Sequence, residues 1–251
     1  MKRSDLAQYL NEYLNCGAYK DYAPNGIQVE GKEDIQRICT AVTASDEVIS
    51  QAVHLKADAL MVHHGYFWRG EDPQIVGMKK KRISNLLKHD ITLFAYHLPL
   101  DCHMELGNNA SLSRLFELDA IQMHAIDGVE NLLWSGVFSQ EKSGDELTEF
   151  LTKKLGRRPL HISGSNRPVK SVALCSGGAQ DYIENAHKLG VDAYISGEIS
   201  ERTYYQAQEL GIHYYSCGHH ATERLGIQSL GNFLAKQFNL DHFFIDSNNP
   251  V

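Results

Sequence analysis

The chain lacks any arrangement of cysteines that suggests a disulfide framework or a thiolate metal site. It contains five cysteines, an odd number, and no two of them form a Cys-x-x-Cys pair. Their scattered positions are Cys16, Cys39, Cys102, Cys175 and Cys217. This distribution is typical of reduced thiols in the cytoplasm.

An excess of positive charge and long apolar runs are also lacking. The 24 Lys and Arg residues against 31 Asp and Glu residues give a formal net charge of −7, which argues against nucleic-acid binding. The dense basic run at residues 79–82 is typical of a solvated helix face. No apolar stretch reaches the length of about 18 residues that spans a bilayer, and no apolar segment follows the N-terminus. We therefore expect a cytoplasmic protein without a membrane partner.

Strands that alternate with helices predict an α/β fold with a largely parallel sheet. The predicted strands lie at residues 27–29, 38–42, 59–62, 91–96, 131–138, 160–162, 172–175, 193–195, 212–216 and 243–245. The predicted helices lie at residues 46–55, 79–89, 144–155, 180–189, 203–210 and 218–238. A further helix is predicted after Ser4-Asp5, where Leu6, Tyr9, Leu10 and Leu14 form an apolar face at helical spacing.

Two parts of the chain match each other at an offset of 134 residues, the separation between Ile49 and Ile183. The matched residues are Ile49, Ala52, Leu55, Asp58 and Ala59 in the first copy and Ile183, Ala186, Leu189, Asp192 and Ala193 in the second. We interpret the match as a degenerate internal duplication, which predicts two related α/β half-structures with mixed, largely parallel sheets and a metal site between them. The predicted domains are a metal-binding α/β domain at 1–126 plus 217–251 and an inserted second α/β domain at 127–216.

Histidine is abundant, with 13 residues, and the first group is His63-His64 at the end of a predicted buried strand. In open α/β sheets, ligands bind beyond the carboxyl ends of the strands. Neighbouring strand residues point to opposite faces, so the pair suits two ions, or one ion reached around a turn that Gly65 permits. Taken alone, such a pair more often bonds to the backbone.

His97 and Asp101 follow the next predicted strand and flank Leu98-Pro99-Leu100. Because proline is excluded from helix interiors, we expect both residues to lie on a loop. A carboxylate there can bridge metal ions, and His97 can act as a general acid and base or support a ligand. An ordinary Asx-turn is the alternative for Asp101.

His219 and Glu223 lie four residues apart at the start of the last predicted helix, which places both side chains on one face. An imidazole and a carboxylate at this spacing form half of a metal site. His220, three residues before Glu223, is a rival for the same role. A surface ion pair is the alternative function of the pair.

Considered together, these groups carry more weight than each alone, because three strand exits offer nitrogen and oxygen donors and none offers a thiolate. Such donors suit Zn, Mn, Fe or Co. Five ligands are more than a single tetrahedral zinc ion binds. Their number therefore predicts two divalent ions that share a bridging carboxylate. Two ions about 3.5–4 Å apart can activate water and polarise a carbonyl or phosphoryl oxygen.

Two features of the second copy are further candidates. Cys175-Ser176-Gly177-Gly178 lies between a strand and a helix, where it can bind an anion or allow tight packing. Glu198 occupies the position that His63-His64 holds in the first copy. We expect its side chain to face the site, in contact with a ligand residue or with substrate.

In these motifs the sequence resembles the Ngg-one-interacting-factor-three-like family, whose bacterial members are labelled GTP cyclohydrolase 1 type 2 homologues. The resemblance spans nearly the whole chain. Its motifs are Ala-Pro-Asn-Gly-Ile-Gln-Val at 23–29, His63-His64-Gly65, His97 to Asp101 with Gly107-Asn108-Asn109, Ala-Tyr-Ile-Ser-Gly-Glu at 193–198, and Gly-His-His-Ala-Thr-Glu at 218–223.

The resemblance implies a dinuclear metal site and favours His219 over His220. The implied ligands are His63, His64, Asp101, His219 and Glu223. It also implies a two-domain α/β subunit in a ring-shaped homohexamer whose metal sites face the interior.

The function that follows is that of a metal-dependent hydrolase of the cyclohydrolase type, with two divalent ions per subunit. Its expected substrate is a small molecule, a purine nucleotide or a related heterocycle. Asp101 would bridge the ions and His97 would shuttle protons. The alternative is a non-catalytic metal-binding or scaffold protein, which the family's interaction-derived name suggests.

Overall fold

A computed structural model describes residues 1–251, which form two compact units. The first unit comprises Met1–Gly107 and Gly226–Asn248, and the second comprises Asn108–Leu225 and Asn249–Val251. The predicted domain bounds, 1–126 plus 217–251 and 127–216, divide the chain differently and stay a prediction. None of the helices is long and apolar enough to cross a bilayer.

The first unit is built on a five-stranded mixed sheet in the order β1-β4-β3-β2-β11. Only β1 runs antiparallel to its neighbour, and the other strands are parallel. The strands are β1 (Gly26–Val29), β2 (Arg37–Thr43), β3 (Ala59–His64), β4 (Thr92–Ala95) and β11 (Asp241–Phe244). The helices are α1 (Arg3–Tyr13), α2 (Asp46–His54), α3 (Gly77–Lys88) and α4 (Leu98–Asp101).

The central strands of this sheet are buried on both faces. In β3, Leu60 and Val62 pack into one apolar cluster, and Ala59 and Met61 pack into another. Burial on both faces explains why the strand is a continuous apolar run rather than an alternating one. The polar residues His63 and His64 come only at its carboxyl end.

The second unit contains a six-stranded mixed sheet in the order β5-β6-β8-β9-β10-β7, in which β8, β9 and β10 are parallel. Its strands are β5 (Asp119–Ile126), β6 (Val129–Lys142), β7 (Leu160–Ile162), β8 (Val169–Cys175), β9 (Ala193–Ser196) and β10 (His213–Ser216). Its helices are α5 (Asn108–Leu115), α6 (Gly144–Leu155), α7 (Ile183–Lys188) and α8 (Glu201–Leu210). The last helix, α9 (His219–Phe238), begins in this unit and ends in the first.

The two units repeat one topology. In the first, a helix and an edge strand precede three parallel strands β2, β3 and β4, and the edge strand β1 pairs antiparallel with the third. In the second, α6 and β7 precede β8, β9 and β10, and β7 pairs antiparallel with β10. This agreement confirms two related α/β half-structures, and the β5–β6 hairpin is an addition to the second.

The repeat extends to individual hydrogen bonds. Asp58 accepts from the backbone N–H groups of Gln36 and Arg37 at 3.0 and 2.9 Å. Asp192, 134 residues later, accepts from the N–H groups of Lys170 and Ser171 at 3.0 and 2.8 Å. In each unit this aspartate fixes the start of the first parallel strand beside the second.

The segment that carries Asp101 differs from the prediction, which placed it on a loop. Leu98–Asp101 is a single helical turn, and Pro99 lies within its first two positions. Proline is tolerated there because the first N–H groups of a helix have no intrahelical partner. Asp101 therefore sits on a rigid turn that starts directly after His97.

Candidate metal centre

Three imidazole rings meet at the carboxyl ends of β3 and β4 in the first unit. The ring centroids of His63 and His64 lie 4.6 Å apart, and His97 lies 5.0 Å from the first and 5.8 Å from the second. One ring nitrogen from each lies within 4.8 Å of the other two, a spacing that could hold a metal ion. The rings of Trp68 and His97 form a T-shaped contact, with their centroids 5.0 Å apart.

His63 is held in the orientation of a metal ligand. Its side chain is fully buried, and its Nδ1–H donates to the carbonyl oxygen of Tyr96 at 2.9 Å. This bond leaves the lone pair on Nε2, which faces Oδ1 of Asp101 at 3.4 Å. Ligand histidines typically donate their second ring nitrogen to an oxygen in this way.

His64 and Asp101 are the other predicted metal ligands of this unit. His64 ends β3, and its Nδ1 is hydrogen-bonded to Thr43 Oγ1 at 3.2 Å. The Asp101 side chain is 8% exposed, so its carboxylate is largely shielded from water. A buried carboxylate beside imidazoles is favourable when a cation lies with it.

His97 is oriented by a residue that the sequence-based prediction omitted, Asp21. The Nδ1–H of His97 donates to Oδ1 of Asp21 at 2.7 Å, which leaves the lone pair on Nε2. The Asp21 side chain is 3% exposed. An imidazole oriented by a buried carboxylate can accept and release protons, and it can also bind a metal ion.

Hydrogen bonds hold Asp21 as an anion. Besides the imidazole, it accepts from the backbone N–H groups of Tyr22 and Leu98 and from the Asn25 amide. Burial alone would raise the pKa of this carboxyl, but the hydrogen bond and charge of His97 and the other donors outweigh burial and lower it. Asp21 thereby joins the turn before β1 to the start of α4.

The second unit brings His219 and Glu223 together on the first turn of α9. His219 Nε2 lies 3.1 Å from Oε2 of Glu223, whose side chain is 4% exposed. The other ring nitrogen, Nδ1, donates to Oε1 of Glu198 at 2.6 Å. Glu198 therefore faces this site as expected, in contact with the imidazole of His219.

The carboxylates of Glu198 and Glu223 beside His219 require a compensating positive charge. Burial by itself would lower the pKa of His219, but the hydrogen bonds and charges of Glu223 and Glu198 raise it to about 9. In the absence of a metal ion, a proton on the imidazole supplies that charge. A divalent cation at Nε2 would supply it instead.

Gly177, in the turn after β8, makes room for this arrangement. Its φ of +66° lies in the left-handed region, and a Cβ atom there would overlap Oε1 of Glu223. Its N–H donates to Thr222 Oγ1 at 3.0 Å. The Ser-Gly-Gly turn thus fits tight packing against α9, one of the two roles considered from the sequence.

Two histidines close to the predicted site residues in sequence are part of the local structure. His220 is buried, and its backbone N–H donates to the carbonyl of Val251 at 3.0 Å. His103 accepts from the N–H groups of Glu105 and Leu106 at 3.2 and 3.1 Å. Burial lowers the pKa of His103, consistent with a neutral ring that accepts these bonds.

The residues in both units fit a divalent cation. The potential ligand atoms are imidazole nitrogens and carboxylate oxygens, and each unit pairs a histidine Nε2 with a buried carboxylate. This donor set suits zinc, manganese, iron or cobalt. The fold and these groups define an α/β protein with candidate metal-binding clusters at strand ends.

The chain belongs to the family Duf34/NIF3 (NGG1p interacting factor 3), whose sequence model matches residues 1–250. A "GTP cyclohydrolase 1 type 2 homolog" of Yersinia pestis is 50% identical over 253 residues, covering 100% of both chains. The solved structure of a protein named ybgI, described as of unknown function, is 48% identical with a TM-score of 0.96 and full coverage of both chains. The structure of a Thermus thermophilus protein named TTHA1606 is 31% identical with a TM-score of 0.91, again over 100% of both chains.

Proposed function

We propose that this chain is a metal-dependent hydrolase that holds two divalent ions. The proposed ligands are His63, His64, Asp101, His219 and Glu223. The observation that carries the proposal is the matched orientation of His63 and His219. In each, Nδ1 donates to an oxygen and Nε2 faces a buried carboxylate. Bound ions would supply Lewis-acid activation of water and of the substrate.

His97 is the proposed proton carrier of the reaction. Asp21 fixes its Nδ1–H, so that Nε2 points away from that carboxylate and can exchange a proton with the reacting molecule. Asp21 itself stays ionised because its pKa is lowered. The pair therefore resembles the arrangement in which a carboxylate orients a catalytic imidazole.

The proposed substrate is a purine nucleotide or a related heterocycle, hydrolysed at an amidine-like carbon. Support comes from the name of the Yersinia pestis relative, "GTP cyclohydrolase 1 type 2 homolog". Ring opening at such a carbon needs a nucleophilic water and a proton carrier, and the donor set together with His97 suits both needs.

The first experiment measures metal content by elemental analysis and turnover of purine nucleotides on the same samples. We expect two ions per chain, loss of metal in Asp101→Asn and Glu223→Gln, and full metal content in the exposed control Asp119→Asn. His97→Ala should retain its metal and lose turnover. Protein with two verified ions and no turnover would contradict the hydrolase and favour a metal-binding or scaffold protein.

The proposed assembly is a homohexamer, which the family resemblance implies. Light scattering on the full chain should then give six times the chain mass of 28.2 kDa. A mass of one or two chains at micromolar concentration would contradict the ring.

A further inference from the structure

The second unit contains a cavity of about 520 Å³ beside the proposed ligand His219. Glu198 and Gly218 form part of its wall, together with Ser216 and Arg157. Gly218 directly precedes His219 in the chain, and Glu198 bonds to the imidazole. A molecule in this cavity would therefore contact the neighbours of a proposed metal ligand.

Arg157 lines this cavity together with Arg158. The residue follows Gly156, the left-handed residue that ends α6. Its guanidinium packs so closely against Gly218 that a Cβ atom there would overlap it. The positive charge therefore lies beside the start of α9.

The charge of Arg157 has no carboxylate partner. It donates to the carbonyl oxygen of Pro250 at 2.7 Å, while neighbouring Arg158 is paired with Glu149. A guanidinium has five N–H donors in a planar fork that matches phosphate and carboxylate oxygens. Arg157 is therefore equipped to bind an anion.

Glu198 is an acidic residue of the same wall. Glu198 is 38% exposed, but its Oε1 accepts the N–H of His219 at 2.6 Å. The cavity thus presents the guanidinium groups of Arg157 and Arg158 in a chain whose formal net charge is −7.

We propose that Arg157 binds a phosphate group of the substrate, so that the substrate class is a phosphorylated small molecule. The proposal rests on the proposed function, because it assigns the cavity to the substrate of the His219 site. The phosphate would be anchored at Arg157, and the reacting part of the molecule would extend along Glu198 towards His219.

The experiment measures binding of GTP and of guanosine to the metal-loaded protein by calorimetry. Arg157→Gln should weaken GTP binding by about tenfold to a hundredfold, the usual loss for a hydrogen bond to a charged group. Guanosine binding should be unchanged, because guanosine has no phosphate. Arg157→Lys should restore part of the GTP affinity, and the exposed control Arg167→Gln should behave as the parent.

The outcomes separate this inference from the proposed function. Equal GTP affinity in the parent and in Arg157→Gln would overturn the phosphate site, even if nucleotides are hydrolysed. A loss of GTP affinity confined to Arg157→Gln, in a metal-loaded protein that hydrolyses nothing, would support the phosphate site and overturn the hydrolase. A variant that weakens guanosine and GTP equally would also overturn the inference.

Discussion

Gly177 is the residue that gives Glu223 its space. The turn after β8 passes so close to α9 that only a hydrogen atom fits at this Cα, and the φ of +66° independently favours glycine. Two separate costs of substitution therefore coincide at Gly177. They can be separated, because Gly190 has a similar φ of +73° and no atom lies within 4 Å of the position that its Cβ would take.

We expect Gly177→Ala to displace the Glu223 carboxylate and to reduce metal content, while Gly190→Ala keeps it. Both variants should lose about 1 kcal/mol or more of unfolding free energy through backbone strain. Elemental analysis and urea unfolding measure the two effects. Full metal content in Gly177→Ala would show that the Glu223 position does not depend on this glycine.

Asp21 affects the proposed reaction indirectly, because it orients His97. Replacing it by asparagine keeps the size of the side chain but removes the charge that favours the imidazole N–H. We expect Asp21→Asn to lower turnover about tenfold to a hundredfold, in line with other residues that orient a functional histidine. Metal content should stay at two ions per chain, and Asp119→Asn should match the parent in both assays. Unchanged turnover in Asp21→Asn would remove Asp21 from the mechanism.

The sequence-based prediction missed contacts between residues that are distant in the chain. His63, Asp101 and Glu223 stand out because their residue types and strand-exit positions indicate a site. Asp21 lies 76 residues before His97, and nothing in its own neighbourhood indicates a buried carboxylate. Gly177 is recognisable as a turn residue, but its contact with Glu223 exists only once α9 is in place.

At the scale of elements, Asp58 and Asp192 occupy equivalent positions in the two sheets and make equivalent hydrogen bonds. Each accepts two backbone N–H groups at the start of a parallel strand. Burial opposes ionisation of both residues, but the bond to Lys32 and backbone donors lower the pKa of Asp58, and bonds from Ser171 and Lys170 lower that of Asp192.

We expect Asp58→Ala and Asp192→Ala each to reduce the unfolding free energy by about 1–3 kcal/mol at pH 7, because each leaves backbone donors without an acceptor. Since the folded-state pKa values lie below the unfolded value of about 3.9, this stabilisation is present above about pH 4. It is lost as the pH falls through the lowered pKa values. Urea unfolding at about pH 7 and about pH 3 should show a smaller penalty at the lower pH. An equal penalty at both pH values would contradict the role of the ionised carboxylates.

The elements that are hardest to predict are those whose pattern is weakest. Strand β5 is absent from the predicted strands because most of its residues are exposed, so that it has no buried, alternating face. The signal that could have found it is Asp127-Gly128, a pair that favours tight hairpin turns and has φ values of +50° and +80°. The buried strands β3 and β9, by contrast, follow directly from their apolar runs.

For the whole molecule, the proposed ligands are spread from His63 to Glu223 along the chain, and His63 and Asp101 come together only when their unit folds. A cation that binds the folded state and not the unfolded chain must raise the stability of the entire protein. The unfolded chain retains only short local donor groups, such as the adjacent pairs His63-His64 and His219-His220, so its competing affinity is weak. Metal should therefore act as a stabiliser of the fold.

We expect the melting temperature of the chelator-treated protein to rise with added zinc or manganese, by an amount that grows with the logarithm of the free ion concentration. At about 100 times the dissociation constant, the gain corresponds to about 2.7 kcal/mol. Glu223→Gln should lose most of this response, because it removes the negative charge beside His219 while preserving the shape of the side chain. The exposed control Asp119→Asn should respond as the parent does. An equal rise in both variants would mean that the ions stabilise the chain elsewhere, and the proposed ligand set would then be wrong.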